Sequence, residues 1–179
     1  DITTRTVNLN AGSIIDMSNT TTKGTALYAN KATVSISGNI KTGSEGIGVY
    51  ADNSDVNLNG GMIDISGNNA TGIFLERSSN LDITNGTINI KGNNSTVFYI
   101  DPSATLTGLD NVLVNVDPGL KMVLANVKNN NFIYNRELTG AGQGSVLIAG
   151  ENSTIGFETD AVINSDSENV TGLAVNGGS

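Results

Sequence analysis

The chain has 179 residues, enough for one domain or two small ones, with a net charge of −8 and no Cys, His or Trp. Without His or Cys, Ser-His-Asp and Cys-His nucleophile systems and zinc sites are excluded, and no cofactor is expected. Nine basic residues in an acidic chain argue against a nucleic-acid or anionic-membrane partner, and no stretch approaches the roughly 18 apolar residues of a membrane span.

The N-terminal DITTRTVNLN does not have the pattern of a signal peptide. The whole chain holds 26 Asn, 22 Gly, 19 Thr and 16 Ser, a bias that raises the question of disorder. Short alternating runs answer it. Val34-Ser35-Ile36, Val56-Asn57-Leu58, Ile63-Asp64-Ile65, Leu81-Asp82-Ile83, Ile88-Asn89-Ile90 and Val112-Leu113-Val114-Asn115-Val116 read as strands between SGN, NGG, GNN and TNG turns. No helical period lasts beyond two turns.

One four-residue element recurs as ALYA at 26–29, GVYA at 48–51, GIFL at 72–75, VFYI at 97–100, KMVL at 121–124, SVLI at 145–148 and GLAV at 172–175. The mean step is about 24 residues, and each period holds three short strands. A propeller blade needs about 40 residues, and neither the leucine-rich consensus nor a strict hexapeptide period is present. The expectation is an all-β, right-handed, three-sided parallel β-helix of about seven rungs of 22–27 residues, forming a single segment over 1–179. Residues 117–144 are expected to form an irregular rung with longer loops, around Asp117-Pro118-Gly119, Asn129-Asn130-Asn131 and GAGQG at 140–144.

Period-2 geometry assigns the faces. Leu27/Ala29, Val49/Ala51, Ile73/Leu75, Phe98/Ile100, Met122/Leu124, Val146/Ile148 and Leu173/Val175 are the expected interior stack. Ser35, Asn57 and Asp82, with Asp64, Asn89 and Asn115, are expected on the outside, where stacked amides bond from rung to rung. The outward position of the repeated element predicts a row of Tyr28, Tyr50, Phe74, Tyr99, Val123 and Leu147. Its aromatic part is a candidate platform for sugar rings or a protein partner, or else a set of rings stacked on one another or covered by another part of the protein.

A second row follows at Asn30, Asp52, Glu76 and Asp101. Adjacent solvated carboxylates repel by about 1 kcal/mol. Asp52, Glu76 and Asp101 are therefore a candidate divalent-cation or polar ladder, or an exposed, solubilising turn relieved by Arg77. Two carboxylates on neighbouring rungs also suggest glycosidic chemistry, but no lyase signature surrounds Arg77, and Arg5 and Arg136 lie elsewhere. Sequons such as those at Asn19, Asn69, Asn85, Asn94, Asn152 and Asn169 follow from composition, and glycosylation is not expected. Glu158, Asp160, Asp166 and Glu168 make the C-terminal third acidic.

The copies GTALYAN at 24–30, GIGVYAD at 46–52, TGIFLE at 71–76 and TGLAVN at 171–176 resemble passenger-domain repeats of bacterial type V autotransporters, most of all the large fusobacterial outer-membrane adhesins. The resemblance covers residues 20–116 and 145–176. It implies a β-helical stalk exported through an outer-membrane barrel, displayed at the cell surface, and engaged in adhesion to host or bacterial glycans or proteins. The expected partners are such a ligand and the rest of the passenger with its barrel, and the chain reads as a fragment of that passenger. No catalytic activity is expected; the alternative is a carbohydrate-active β-helix, either a polysaccharide lyase or a tailspike-like hydrolase.

Overall fold

The computed structural model describes residues 5–138, 141–165 and 167–177. Residues 1–4 of the N-terminal segment, Gly140 of GAGQG and Asp166 of the acidic C-terminal group lie outside the described residues. Strands β1 (Arg5–Leu9) and β2 (Ile14–Asp16) precede the first full turn. Turn one holds β3 (Thr25–Asn30), β4 (Ala32–Ile36) and β5 (Asn39–Thr42). Turn two holds β6 (Ile47–Asp52) and β7 (Asp55–Ile65), and turn three β8 (Thr71–Glu76) and β9 (Asn80–Ile90). Turn four holds β10 (Ser95–Ile100), β11 (Thr105–Thr107), a 3-10 turn (Leu109–Asn111) and β12 (Val112–Val116). Turn five holds β13 (Met122–Lys128), β14 (Asn131–Tyr134) and β15 (Glu137–Leu138). Turn six holds β16 (Val146–Glu151), β17 (Thr154–Phe157) and β18 (Val162–Ile163), and β19 (Thr171–Asn176) opens a seventh.

The chain is a parallel β-solenoid of about seven turns. One sheet runs its whole length in the order β3-β6-β8-β10-β13-β16-β19, and we call its outer surface the front face. The other two sides begin as one sheet, because β7 and β9 each carry the second and third strand positions in 11 residues. Their registers shift at Leu58, Asn59 and Gly61, where the strand bends the corner without ending. The three separate strands per period expected from sequence are thus merged to two in turns two and three.

Asparagine sets most of the other corners. Leaving the front sheet, the chain turns through one left-handed residue, with φ of 50° at Lys31, 49° at Asn53, 55° at Arg77, 45° at Asn129 and 50° at Asn152. Entering it, Glu45, Asn69, Asn94 and Asn169 have φ of 55–57°. Asn adopts this conformation at less cost than most side chains, so part of the compositional bias is corner chemistry. Turn four departs from the pattern. Pro102 follows Asp101, proline cannot take positive φ, and the left-handed residue moves to Ser103 with φ of 67°. Downstream, β14 pairs only with β17 and β15 only with β18 among the described residues, so the second and third sides are interrupted between turns four and five.

The interior is a column of aliphatic side chains. Ile36, Ile40, Leu58, Ile63, Ile65, Ile73, Leu75, Leu81, Ile83 and Ile88 are all fully buried. Each is worth about 1.5–3 kcal/mol relative to exposure, and no single turn could bury them alone.

Candidate functional site

The front face carries three columns set by the parallel register. Tyr28 stands opposite Tyr50, Tyr50 opposite Phe74, and Phe74 opposite Tyr99. Ring centroids are 5.4, 4.9 and 4.2 Å apart, close to the strand spacing, and the Tyr50–Phe74 and Phe74–Tyr99 pairs are stacked within 2° and 9° of parallel. Only Tyr28 is well exposed, at 61%. The rings stand on edge and spend their faces on one another, each pair contributing about 0.5–1.5 kcal/mol beyond burial. Of the arrangements foreseen for this row, self-stacking is the one present; a flat platform with open faces is not.

Beyond Tyr99 the expected alignment slips. Tyr99 pairs with Asn126, Asn126 with Ala149, and Ala149 with Ala174. Val123 instead stands opposite Thr96 in the neighbouring outer column, and Leu147 is buried. The repeated element in turns five and six is therefore 124–127 and 147–150, not 121–124 and 145–148. Apolar matching misplaced it because Met122 and Leu124 are also buried, in a strand one residue longer than its neighbours. The interior stack changes accordingly: Ala125 and Val127 succeed Phe98 and Ile100, and Val146 is half-buried. Leu173 and Val175 keep their place opposite Ile148 and Gly150 but are exposed on β19, the last described strand.

The third column is longer than sequence suggested. Asn30, Asp52 and Glu76 pair in register, and the hydrogen bond from the Asp101 amide to the Leu75 carbonyl carries the column to Asp101. Correct alignment then continues it through Lys128, Glu151 and Asn176. Lys128 and Glu151 form an ion pair of 3.3 Å, and the Lys128 ammonium lies 5.6 Å from the centre of the Tyr99 ring. The Tyr99 hydroxyl and Glu151 raise the Lys128 pKa.

Asp52 is not on an exposed turn. It is 2% exposed, both its oxygens accept from the Arg77 guanidinium, and the Asn30 amide donates to Oδ2 at 2.6 Å. The Arg77 hydrogen bonds hold its carboxyl below the usual range against the opposing effect of burial. Arg77 sits at the left-handed corner that follows β8, which aims it back along the column at Asp52; its distance to Glu76 is a longer 3.7 Å. Glu76 instead accepts from the Tyr50 hydroxyl, which pushes the Tyr50 pKa up to about 12. Burial raises the Asp101 pKa, with Glu76 adding to it and Lys128 opposing. Two of the three proposed cation ligands therefore already have protein partners.

On the other sides the expected amide ladder is present. Asn115 donates to Asn89 at 2.9 Å and Asn89 to Asp64 at 2.6 Å, while Lys91 pairs with Asp64 at 3.0 Å. Sequence reading missed Asn126, Lys128, Glu151 and Asn176 as front-face residues. The signal was available: a polar residue closes the front strand in every turn, and aligning on it would have fixed the register.

Comparison with family models, with curated proteins and with solved structures finds no match.

Proposed function

We propose that this chain is a non-catalytic stalk or adhesin segment, part of an autotransporter passenger of the kind its repeats resemble. In this reading it is displayed outside a bacterial cell, tethered to the outer membrane through the rest of the passenger and its barrel. There it contributes to binding host or bacterial surface glycans or proteins through its front face. The supporting observation is the fate of the candidate acids. A glycosidic acid–base pair needs one carboxyl that keeps its proton near neutral pH and another with free lone pairs. Asp52 is held ionised by Arg77 and enclosed, and Glu76 accepts from Tyr50, so Asp101, whose pKa burial raises, faces no free carboxylate on the neighbouring turn. These groups knit adjacent turns together, which suits a rigid column.

The labelled chain is expected to bind target cells, and Tyr50→Ser with Phe74→Ser to weaken that binding, while circular dichroism verifies the fold of the variant. Incubation with acidic and neutral polysaccharides, with and without calcium, tests the catalytic alternative. Release of reducing or unsaturated ends that is lost in Asp52→Ala or Glu76→Ala overturns the proposal.

A further inference from the structure

The aromatic column ends abruptly, and its end is shaped like a site. Phe74 stacks on one face of Tyr99, but the next position in the row holds Asn126, followed by Ala149 and Ala174. The change from rings to small side chains leaves a hollow of about 520 Å³ in the front face over turns five to seven. Its floor includes Ala149 and Ala174, and Asn126, Lys128, Glu151 and Asn176 line it with polar groups. Half-buried Tyr99 stands beside Asn126, which lines this space, and the Lys128 ammonium lies 5.6 Å from the centre of its ring.

We propose that this hollow binds one neutral pyranose unit of a glycan, its ring occupying the place an aromatic side chain of turn five would have taken. The proposal rests on the front-face binding reading above and names its ligand class. A pyranose has an apolar face of C–H groups and a rim of hydroxyls. The first fits against Tyr99 and the alanine methyl groups, in continuation of a stack already spaced at 4.2–5.4 Å. The second needs donors and acceptors together. The amides of Asn126 and Asn176 offer both, Lys128 donates and Glu151 accepts. Because Lys128 and Glu151 neutralise each other at 3.3 Å, the hollow has no net charge to recruit an anionic sugar. Ligand entry moves the Lys128 ammonium from the ring to a hydroxyl while it keeps Glu151 within reach.

The test is a nuclear magnetic resonance titration of the full chain with mannotriose, galactobiose and maltotriose, with sialyllactose and N-acetyltyrosinamide as comparisons. At least one neutral sugar is expected to shift Tyr99, Asn126, Ala149 and Glu151 together. Tyr99→Ala should weaken it about tenfold, the equivalent of one lost stacking contact. Asn126→Tyr fills the vacant position with protein, and is expected to abolish binding while thermal stability holds or rises. The proposal is overturned by absence of shifts with all three neutral sugars, by unchanged binding in Asn126→Tyr, or by preference for sialyllactose. It is also overturned if N-acetyltyrosinamide alone binds, which would make the hollow a receptor for an aromatic side chain of a protein partner. Cell binding that persists when the sugars fail removes this inference and leaves the broader reading standing.

Discussion

Single hydrogen bonds on the front face have consequences that titration can read. The Tyr50 hydroxyl donates to Glu76, and this bond, then burial, then the charges of Glu76 and Asp52 raise the Tyr50 pKa from 10.0 to about 12. In the unfolded chain the phenol ionises at its ordinary value, so between about pH 10 and pH 12 the folded protein holds a proton that the unfolded one has released. Stability from this group is complete below pH 10 and falls as pH rises towards about 12. Ultraviolet titration of tyrosinate, with Tyr50→Phe to identify its phase, is expected to place the Tyr50 phenol late and to move it to lower pH in Glu76→Gln. An unmoved late phenol in that variant would assign the shift to burial instead. Sequence placed Tyr50 and Glu76 in neighbouring columns, yet not in contact. They lie one turn and two strand positions apart, and only the lean of the side chains decides that they meet.

At the scale of strands and corners, close approach of successive turns sets the limits. Gly43, Gly67 and Gly92 occur just after the third strand position of consecutive turns, and a Cβ at Gly67 would overlap the backbone of Gly43 and Ser44. A Cβ at Gly92 would overlap Gly67 in the same way. Gly67→Ala is therefore expected to cost about 1–3 kcal/mol, since the backbone of the preceding turn at Gly43 and Ser44 must yield. Gly156 is the contrast: in β17 its added Cβ would come no closer than 3.8 Å to a neighbour, so Gly156→Ala should be neutral or stabilising by about 0.4–1 kcal/mol. Denaturant titration of the pair checks both signs. The strands themselves were legible because β-branched alternation and Asn-Gly corners are local signals. The continuous 11-residue course of β7 and β9 was not, because whether Gly60 and Gly61 end a strand or bend it depends on the neighbouring turn. The slip at turn five has a similar origin. Val127 and Leu124 both satisfy an apolar pattern, and the polar residue that closes each front strand was the better guide.

Across the whole column, each turn is stabilised mainly by the two it touches, so a weak junction divides the molecule. The seven-fold period was legible from one end to the other, and an irregular rung was expected over 117–144. That two of the three sides are interrupted there was not legible, although Pro102 precedes the break. Between turns four and five the front sheet is the one sheet that continues among the described residues. On the interrupted sides, side chains replace the missing ladder. The Asn130 amide donates to the carbonyls of Asp101 and Ala104 at 2.8 and 2.7 Å, and Arg136 Nη1 donates to that of Val112 at 2.7 Å. Asn130 thus satisfies the carbonyls around the corner that Pro102 reshapes. Asn130→Ala removes that donor from both. The Asp101 carbonyl keeps the Ala104 amide at 3.2 Å, while the Ala104 carbonyl loses this partner, at a cost of about 1–3 kcal/mol for an unsatisfied group. Because the loss falls on the junction and not within either half, its expected effect is on cooperativity as much as on stability. Hydrogen exchange at increasing urea should show the wild-type turns opening together, and the variant losing protection from β13 to β19 before β3 to β12. A single transition, displaced uniformly to lower urea in the variant, would mean that the continuous front sheet and the aliphatic core couple the two halves without help from Asn130.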